Sequence, residues 1–135
     1  SLRGSGIYVA NSTQRVVAVD ESPTQISLYE RSVEPLGAEL RAFRNAADAL
    51  DHLTNSDVDL LFLDLVMTDT EGITFLRAVR AIERHANLTV VVVTSKDYAQ
   101  DRVLAKELGA VDYLVKPLRS QEIREIICKY TDAQA

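Results

Sequence analysis

The sequence predicts an α/β fold in which a doubly wound sheet of five parallel strands, in the order 2-1-3-4-5, carries helices on both faces. Short apolar runs alternate five times with segments of helical periodicity, which implies parallel βαβ units with right-handed crossovers. The first, third and fourth runs are apolar throughout, as central strands are, whereas the second alternates and suits an edge. The flavodoxin-like order 2-1-3-4-5 satisfies both observations.

Each predicted strand is short and is bounded by polar residues. The third is the clearest, because four large apolar residues run without a break and end on the carboxylate of Asp64. The fifth, DYLV, is followed directly by Lys116 and Pro117. The predicted strands cover residues 16–19, 39–43, 60–63, 89–94 and 112–115.

The helices are predicted from apolar spacing and from residues that commonly cap helices. Ser22 followed by Pro23 opens the first helix, and Asn45, Asp97 and Ser120 are predicted to cap the second, fourth and fifth. The third begins after Gly72, and Gly109 ends the fourth. The residues predicted to face the sheet are Ile26, Tyr29, Val33, Leu36, Ala46, Ala49, Leu50, Leu53, Phe75, Leu76, Val79, Ile82, Leu104, Ala105, Leu108, Ile123, Ile126, Ile127 and Tyr130.

Length and composition indicate a single domain. The chain has 135 residues and one cysteine, so an internal disulfide is impossible and a reducing, cytoplasmic location is expected. Its net charge of -5 argues against electrostatic binding of nucleic acid or an anionic membrane. We expect residues 1–14 to be a linker or cloning remnant, 15–132 the domain and 133–135 a tail.

Five polar side chains are predicted to converge where the strands end. Because carboxyl ends of parallel strands share one edge, Asp20, Glu21, Asp64, Thr94 and Lys116 should surround one crevice. Three carboxylates repel one another, and Lys116 offsets only one charge. An oxygen-rich cleft without His or Cys suits Mg²⁺, or Mn²⁺, and points to phosphoryl chemistry with a carboxylate as acceptor.

Four motifs around these residues together resemble the receiver domain of two-component response regulators, over about residues 15 to 131. They are VDESPT, LFLDLVMTDTEG, VVVTS and LGAVDYLVKP. The resemblance implies that Asp64 accepts a phosphoryl group from a histidine kinase or histidine phosphotransfer domain. It also implies that Mg²⁺ is held by Asp20, Glu21, Asp64 and the backbone carbonyl of Val66.

The same resemblance implies roles for further residues. Lys116 would pair with the phosphoryl group, and its bond to Pro117 is expected to be cis. Thr94 and Tyr113 would form the switch pair. The output surface for a partner or a homodimer would be the fourth helix, fifth strand and fifth helix.

The resemblance further implies that the water that removes the phosphoryl group is flanked by two side chains, Val66 and Lys96. Val66 cannot orient water, so we expect slow loss of the phosphoryl group. Lys96 could cover the group or neutralise its charge, which leaves the direction of its effect open.

The sequence departs from the common receiver pattern at three places. Glu21 stands where Asp is usual, which puts direct metal binding in question. Thr68 stands where Pro is common, so the loop after Asp64 is expected to be less rigid. The final helix lacks the arginine-rich ending that precedes a DNA-binding domain.

Three other functions are alternatives to that of a phosphoacceptor switch. A phosphatase of the haloacid-dehalogenase kind would need a second Asp where Val66 stands. A flavodoxin-like cofactor binder would need a phosphate-binding first loop, which Asp20 and Glu21 would repel. A pseudo-receiver that acts only as an interaction module remains open because of Glu21. His52 and His85 could be taken for metal ligands but are predicted to be separate surface residues. Cys128 is predicted to be an exposed thiol.

Overall fold

The computed structural model describes residues 13–134 and confirms the predicted fold. Five parallel strands form one sheet in the order β2-β1-β3-β4-β5. The strands and helices along the chain are β1 Arg15–Val19, α1 Pro23–Val33, β2 Glu39–Phe43, α2 Ala46–Asn55, β3 Leu60–Asp64, α3 Gly72–Ala81, β4 Thr89–Thr94, α4 Ala99–Glu107, β5 Asp112–Val115 and α5 Ser120–Tyr130. Most of the predicted linker, residues 1–12, lies outside the described residues, as does residue 135.

Alternate residues of the central strands pack into two separate cores. On one face, Leu61 and Leu63 of β3 pack with residues of α2, α3 and α4. On the other face, Leu60 and Phe62 pack with residues of α1 and α5. Because both faces are covered, β1, β3 and β4 are buried almost throughout, which explains why their sequences are continuously apolar.

The predicted caps are right for two helices and wrong for two. Ser22 and Asn45 cap α1 and α2, since their side chains accept hydrogen bonds from Gln25 N and Asp48 N. Tyr98, and not Asp97, precedes α4, because the Asp97 carboxylate forms an ion pair with Arg102. A simple capping pattern does not take account of a charged partner such as Arg102.

The last helix begins one residue earlier than its predicted cap implies. Arg119 occupies the cap position, its backbone N donates to Glu122 Oε1 at 2.9 Å, and Ser120 is already helical. The glutamate three positions into the helix therefore takes over the capping that was assigned to the serine.

Two predictions about isolated side chains are also wrong. His85 is buried, and its Nε2 lies 2.9 Å from Ser56 O, so it links the end of α2 to the segment before β4. It is near enough to His52 to be among the charges that lower the pKa of His52, after burial and Arg41. Cys128 is half-buried and packs against the core between the sheet, α1 and α5. No helix within residues 13–134 is long and apolar enough to cross a membrane.

Candidate functional site

Two buried carboxylates and one ammonium group meet at the carboxyl edge of the sheet. Lys116 Nζ donates to Asp20 Oδ2 at 2.7 Å and to Asp64 Oδ2 at 3.2 Å. Asp20 and Asp64 are only 1% and 5% exposed. Asp20 follows β1, Asp64 ends β3, and β1 and β3 are neighbours. Lys116 follows β5, where its backbone N donates to Thr94 O at 2.8 Å and so continues the pairing with β4.

The second oxygen of each carboxylate is bound by nearby backbone. Asp20 Oδ1 accepts from Ser22 N, and Asp64 Oδ1 accepts from Val66 N, each at 2.9 Å and each two residues further along the chain. These Asx-type turns fix both carboxylates where the chain leaves the sheet. The other oxygen of each carboxylate, Oδ2, thereby faces Lys116.

Burial and crowding shift the pKa values at this site. Burial raises the pKa of the Asp64 carboxyl, and the charge of Asp20 raises it further, against the lowering by Val66 N–H and Lys116. Burial alone would lower the pKa of Lys116, but its hydrogen bonds and ion pairs with Asp20 and Asp64 prevail and raise it. Lys116 therefore stays protonated beside two carboxylates, and the ionised group of three carries one excess negative charge. Hard oxygen donors with excess negative charge fit a hard divalent cation.

Glu21 does not join this group, contrary to the predicted convergence of three carboxylates. Its Oε2 instead accepts from Thr68 N at 2.7 Å and from Thr68 Oγ1 at 2.6 Å. Across residues 13–134, no three side chains of Asp, Glu, His or Cys are placed to hold one metal ion together. The structure thus brings Asp20, Asp64 and Lys116 together and leaves Glu21 on the neighbouring loop.

The loop after Asp64 is held at several points by side-chain hydrogen bonds. Thr68 is bound by Glu21, and Asp69 Oδ2 accepts from Ala46 N at the start of α2. A Cβ atom on Gly72 would lie 2.4 Å from Leu65 Cα, so only glycine permits this close return of the chain. Side-chain hydrogen bonds thus restrain a loop that lacks the proline.

Of the two predicted switch residues, Thr94 ends the strand next to that of Asp64, and Tyr113 lies one strand further away on β5. Thr94 is fully buried at the end of β4, and its hydroxyl accepts from Lys96 N at 3.0 Å and donates to Lys96 O at 3.2 Å. The Lys96 residue itself is exposed, and the Val66 side chain is 41% exposed beside the crevice. The bond between Lys116 and Pro117 is cis.

Tyr113 is held by contacts that the sequence reasoning missed. The Arg102 guanidinium lies 4.4 Å from the centre of the Tyr113 ring, and Asp97 binds the same guanidinium with both oxygens, at 2.6 and 3.1 Å. The Tyr113 hydroxyl is buried without a hydrogen-bond partner among the described residues. Opposite charges five residues apart at the start of α4 were the available signal, but only the fold shows which ring they cover.

Comparison with known proteins gives a consistent result. Residues 16–128 match the family model described as the response regulator receiver domain. The chain is 30% identical over 114 residues to the sensor histidine kinase CheAY of Helicobacter pylori, covering 83% of this chain and 14% of that protein. The chain thus spans only a small part of that relative.

Solved structures share the fold. A CheY-like receiver domain of Methanospirillum hungatei has a TM-score of 0.82 at 23% identity, covering 90% of this chain and 95% of that one. The receiver domain of a Pseudomonas aeruginosa sensor histidine kinase, solved with a magnesium ion in its active-site cleft, has a TM-score of 0.78 at 21% identity. That match covers 88% of this chain and 98% of the other.

The raised pKa of Asp64 predicts that Asp64→Asn stabilises the metal-free protein. A carboxyl whose pKa is raised by folding favours the protonated form, so ionisation at neutral pH costs stability, which is regained as the pH falls through the raised pKa. In EDTA near pH 7, Asp64→Asn should raise the melting temperature by a few degrees, or about 1 kcal/mol.

The gain should shrink as the pH falls through the carboxyl's pKa, where the parent protein loses the same charge. Asp51→Asn, at an exposed position of α2, is the matched control and should leave the melting temperature nearly unchanged. A melting temperature for Asp64→Asn at or below that of the parent would show that the Lys116 contact outweighs the cost of burial.

Proposed function

Because the chain belongs to the family of response regulator receiver domains of two-component signalling, we propose that it is a phosphoacceptor switch. In this proposal Asp64 receives a phosphoryl group from a histidine kinase or a histidine phosphotransfer domain. The observation that carries the proposal is the buried Asp64 carboxylate, bound by Lys116 Nζ at the edge of the sheet. A carboxylate in that position lies at the edge of the sheet where the loops meet, with the positive charge of Lys116 beside it.

The transfer requires an ionised Asp64 and a cation for the incoming phosphoryl oxygens. An Asp64 oxygen uses a lone pair to form a bond to phosphorus while the phosphorus–nitrogen bond of the donor breaks. The electron pair of that bond stays on the donor imidazole, which takes up a proton. Lys116 favours the ionised nucleophile before transfer and can pair with a phosphoryl oxygen afterwards.

The donor atoms at the site suit Mg²⁺ or Mn²⁺, which would neutralise charge on the phosphoryl oxygens. Asp20 and Asp64 would hold the ion, together with the carbonyl of Val66 and, once it leaves Thr68, Glu21. The magnesium ion in the Pseudomonas receiver domain supports this proposal. Asp20 and Lys116 also keep the crevice charged, which favours cations and phosphoryl groups over apolar ligands.

The proposed output surface is α4, β5 and α5, for a partner protein or a second copy of this chain. Within residues 13–134, five large hydrophobic side chains are exposed, and all except Val66 lie between residues 98 and 115. They are Tyr98, Val103, Val111 and Val115. These residues lie in or next to α4 and β5, which supports an interaction surface there.

We expect acetyl phosphate with Mg²⁺ to add one phosphoryl group to the protein, as measured by intact mass. Acetyl phosphate replaces the unidentified kinase, and acetate leaves in place of the donor imidazole. Asp64→Asn should abolish the addition, whereas Asp51→Asn should be labelled like the parent. Labelling of Asp64→Asn at the parental level would rule out Asp64 as the acceptor. A parent that takes up no phosphoryl group would instead favour an interaction-only pseudo-receiver.

We also expect the phosphoryl group to change the surroundings of Tyr113. The Thr94 hydroxyl donates only a long, 3.2 Å hydrogen bond, so a charged phosphoryl oxygen is a better acceptor and should draw it inward. The vacated space would admit the Tyr113 ring, away from Arg102. Amide shifts on adding beryllofluoride and Mg²⁺ should therefore extend over residues 94–116. Shifts restricted to the loops that follow β1 and β3 would contradict this coupling.

Val66→Asn should speed loss of the phosphoryl group several-fold, or about 1 kcal/mol of barrier. Val66 is exposed beside Asp64 and has no polar atom to orient a water in line with the bond to phosphorus, whereas Asn supplies both donor and acceptor. The half-life of the phosphorylated protein should be measured at saturating Mg²⁺. Val111→Asn, the same change at another exposed valine, is the control. An equal or longer half-life for Val66→Asn would show that residue 66 does not control water access.

A further inference from the structure

The contact between Glu21 and Thr68 joins the two loops that border the phosphoacceptor. One carboxylate oxygen of Glu21 accepts from both the backbone N and the hydroxyl of Thr68, at 2.7 and 2.6 Å. Hydrogen bonds to a charged acceptor are shorter and stronger than those between neutral groups. Glu21 is therefore bound by Thr68 at two points while it lies next to Asp20 in the sequence.

Neighbouring contacts support this position of Glu21. Arg44 Nε donates to the Glu21 carbonyl at 3.2 Å, which ties the loop after β1 to the loop after β2. Asp69, next to Thr68, accepts from Ala46 N at 2.9 Å, which ties the loop after β3 to the start of α2. The Glu21–Thr68 contact thus closes a ring of three loops at the carboxyl edge of the sheet.

The contact requires both Glu21 and Thr68. Proline at position 68 would have neither the backbone N–H nor the hydroxyl that Glu21 binds. Aspartate at position 21 would be one methylene shorter and would not span the same distance to Thr68. The two departures in this part of the sequence therefore meet in a single contact, which neither of the commoner residues could form.

We propose that Thr68 competes with the divalent cation for the carboxylate of Glu21, and so sets the metal affinity of the site. This inference rests on the proposed function. The carboxylate of Glu21 lies away from Asp20 and Asp64 while it is bound to Thr68, and no three such groups are placed together for a metal among residues 13–134. To bind the ion, Glu21 must release Thr68, which costs affinity and frees the loop after Asp64.

Titration of MgCl₂ into the purified chain by calorimetry tests this competition. Thr68→Val keeps the shape of the side chain and removes only the hydroxyl, so it should tighten Mg²⁺ binding by about 5-fold, the worth of a modest hydrogen bond. Thr68→Ser, which keeps the hydroxyl, should restore the parental affinity. In a Glu21→Ala background, where no carboxylate is left to release, Thr68→Val should change nothing.

Unchanged or weaker Mg²⁺ binding by Thr68→Val would overturn the inference, as would the same gain in the Glu21→Ala background. If the parent binds Mg²⁺ and accepts phosphoryl from acetyl phosphate in that case, the proposed function stands without the competition. If Thr68→Val binds Mg²⁺ and the parent does not, Thr68 prevents binding altogether, which supports the competition. If neither protein binds Mg²⁺ or accepts phosphoryl, both proposals fail together.

Discussion

The site depends on one ammonium group that bridges two buried carboxylates. Lys116 Nζ reaches Asp20 and Asp64 from the end of β5, and the two acids would otherwise face each other with little solvent to screen their repulsion. Ionised groups are costly to bury unless they are paired. The contact therefore ties the ends of three strands together, and it leaves an excess negative charge that a divalent cation can offset.

The loops around this group of three are held by a second set of charged contacts. Glu21 accepts from Thr68 N, and Asp69 accepts from Ala46 N in the first turn of α2, so two acidic side chains hold the loop after Asp64 in place. The two adjacent acids, Asp20 and Glu21, therefore have different partners. Asp20 is buried and faces Lys116, whereas Glu21 is directed across the loop. We propose that Thr68 sets how readily Glu21 contributes to metal binding.

The fold could be predicted from the sequence because strands that are buried on both faces of a sheet have continuously apolar sequences. The continuous apolar runs of β1, β3 and β4 and the alternating pattern of β2 fix the strand order, and the polar residues after each strand then share one edge. Ser22 and Asn45 were predictable caps because each binds a backbone N–H only three residues away. The position of Asp64 and Lys116 followed from the same reasoning.

The remaining errors involve contacts between residues distant in sequence or competing partners. Nothing near Glu21 indicates that residue 68 binds its carboxylate, 47 positions later. The Asp97 carboxylate binds Arg102 instead of capping α4. The buried His85 ring forms a hydrogen bond to Ser56 O, which lies 29 positions earlier in the chain. Local patterns predict which residues reach the edge of the sheet, whereas the direction of each side chain depends on partners that only the folded chain brings close.

We infer that Lys116 favours the ionised form of the buried Asp64 carboxylate. Carboxyl ¹³C chemical shifts of Asp64, followed through a pH titration of the metal-free protein, measure this directly. Lys116→Met removes the charge but keeps the side-chain stem, so the pKa of Asp64 should rise above its already raised parental value. Lys129→Met, which removes a charge from α5 near Tyr130, should leave that pKa unchanged. An Asp64 pKa in Lys116→Met that equals or falls below the parental one would contradict the account.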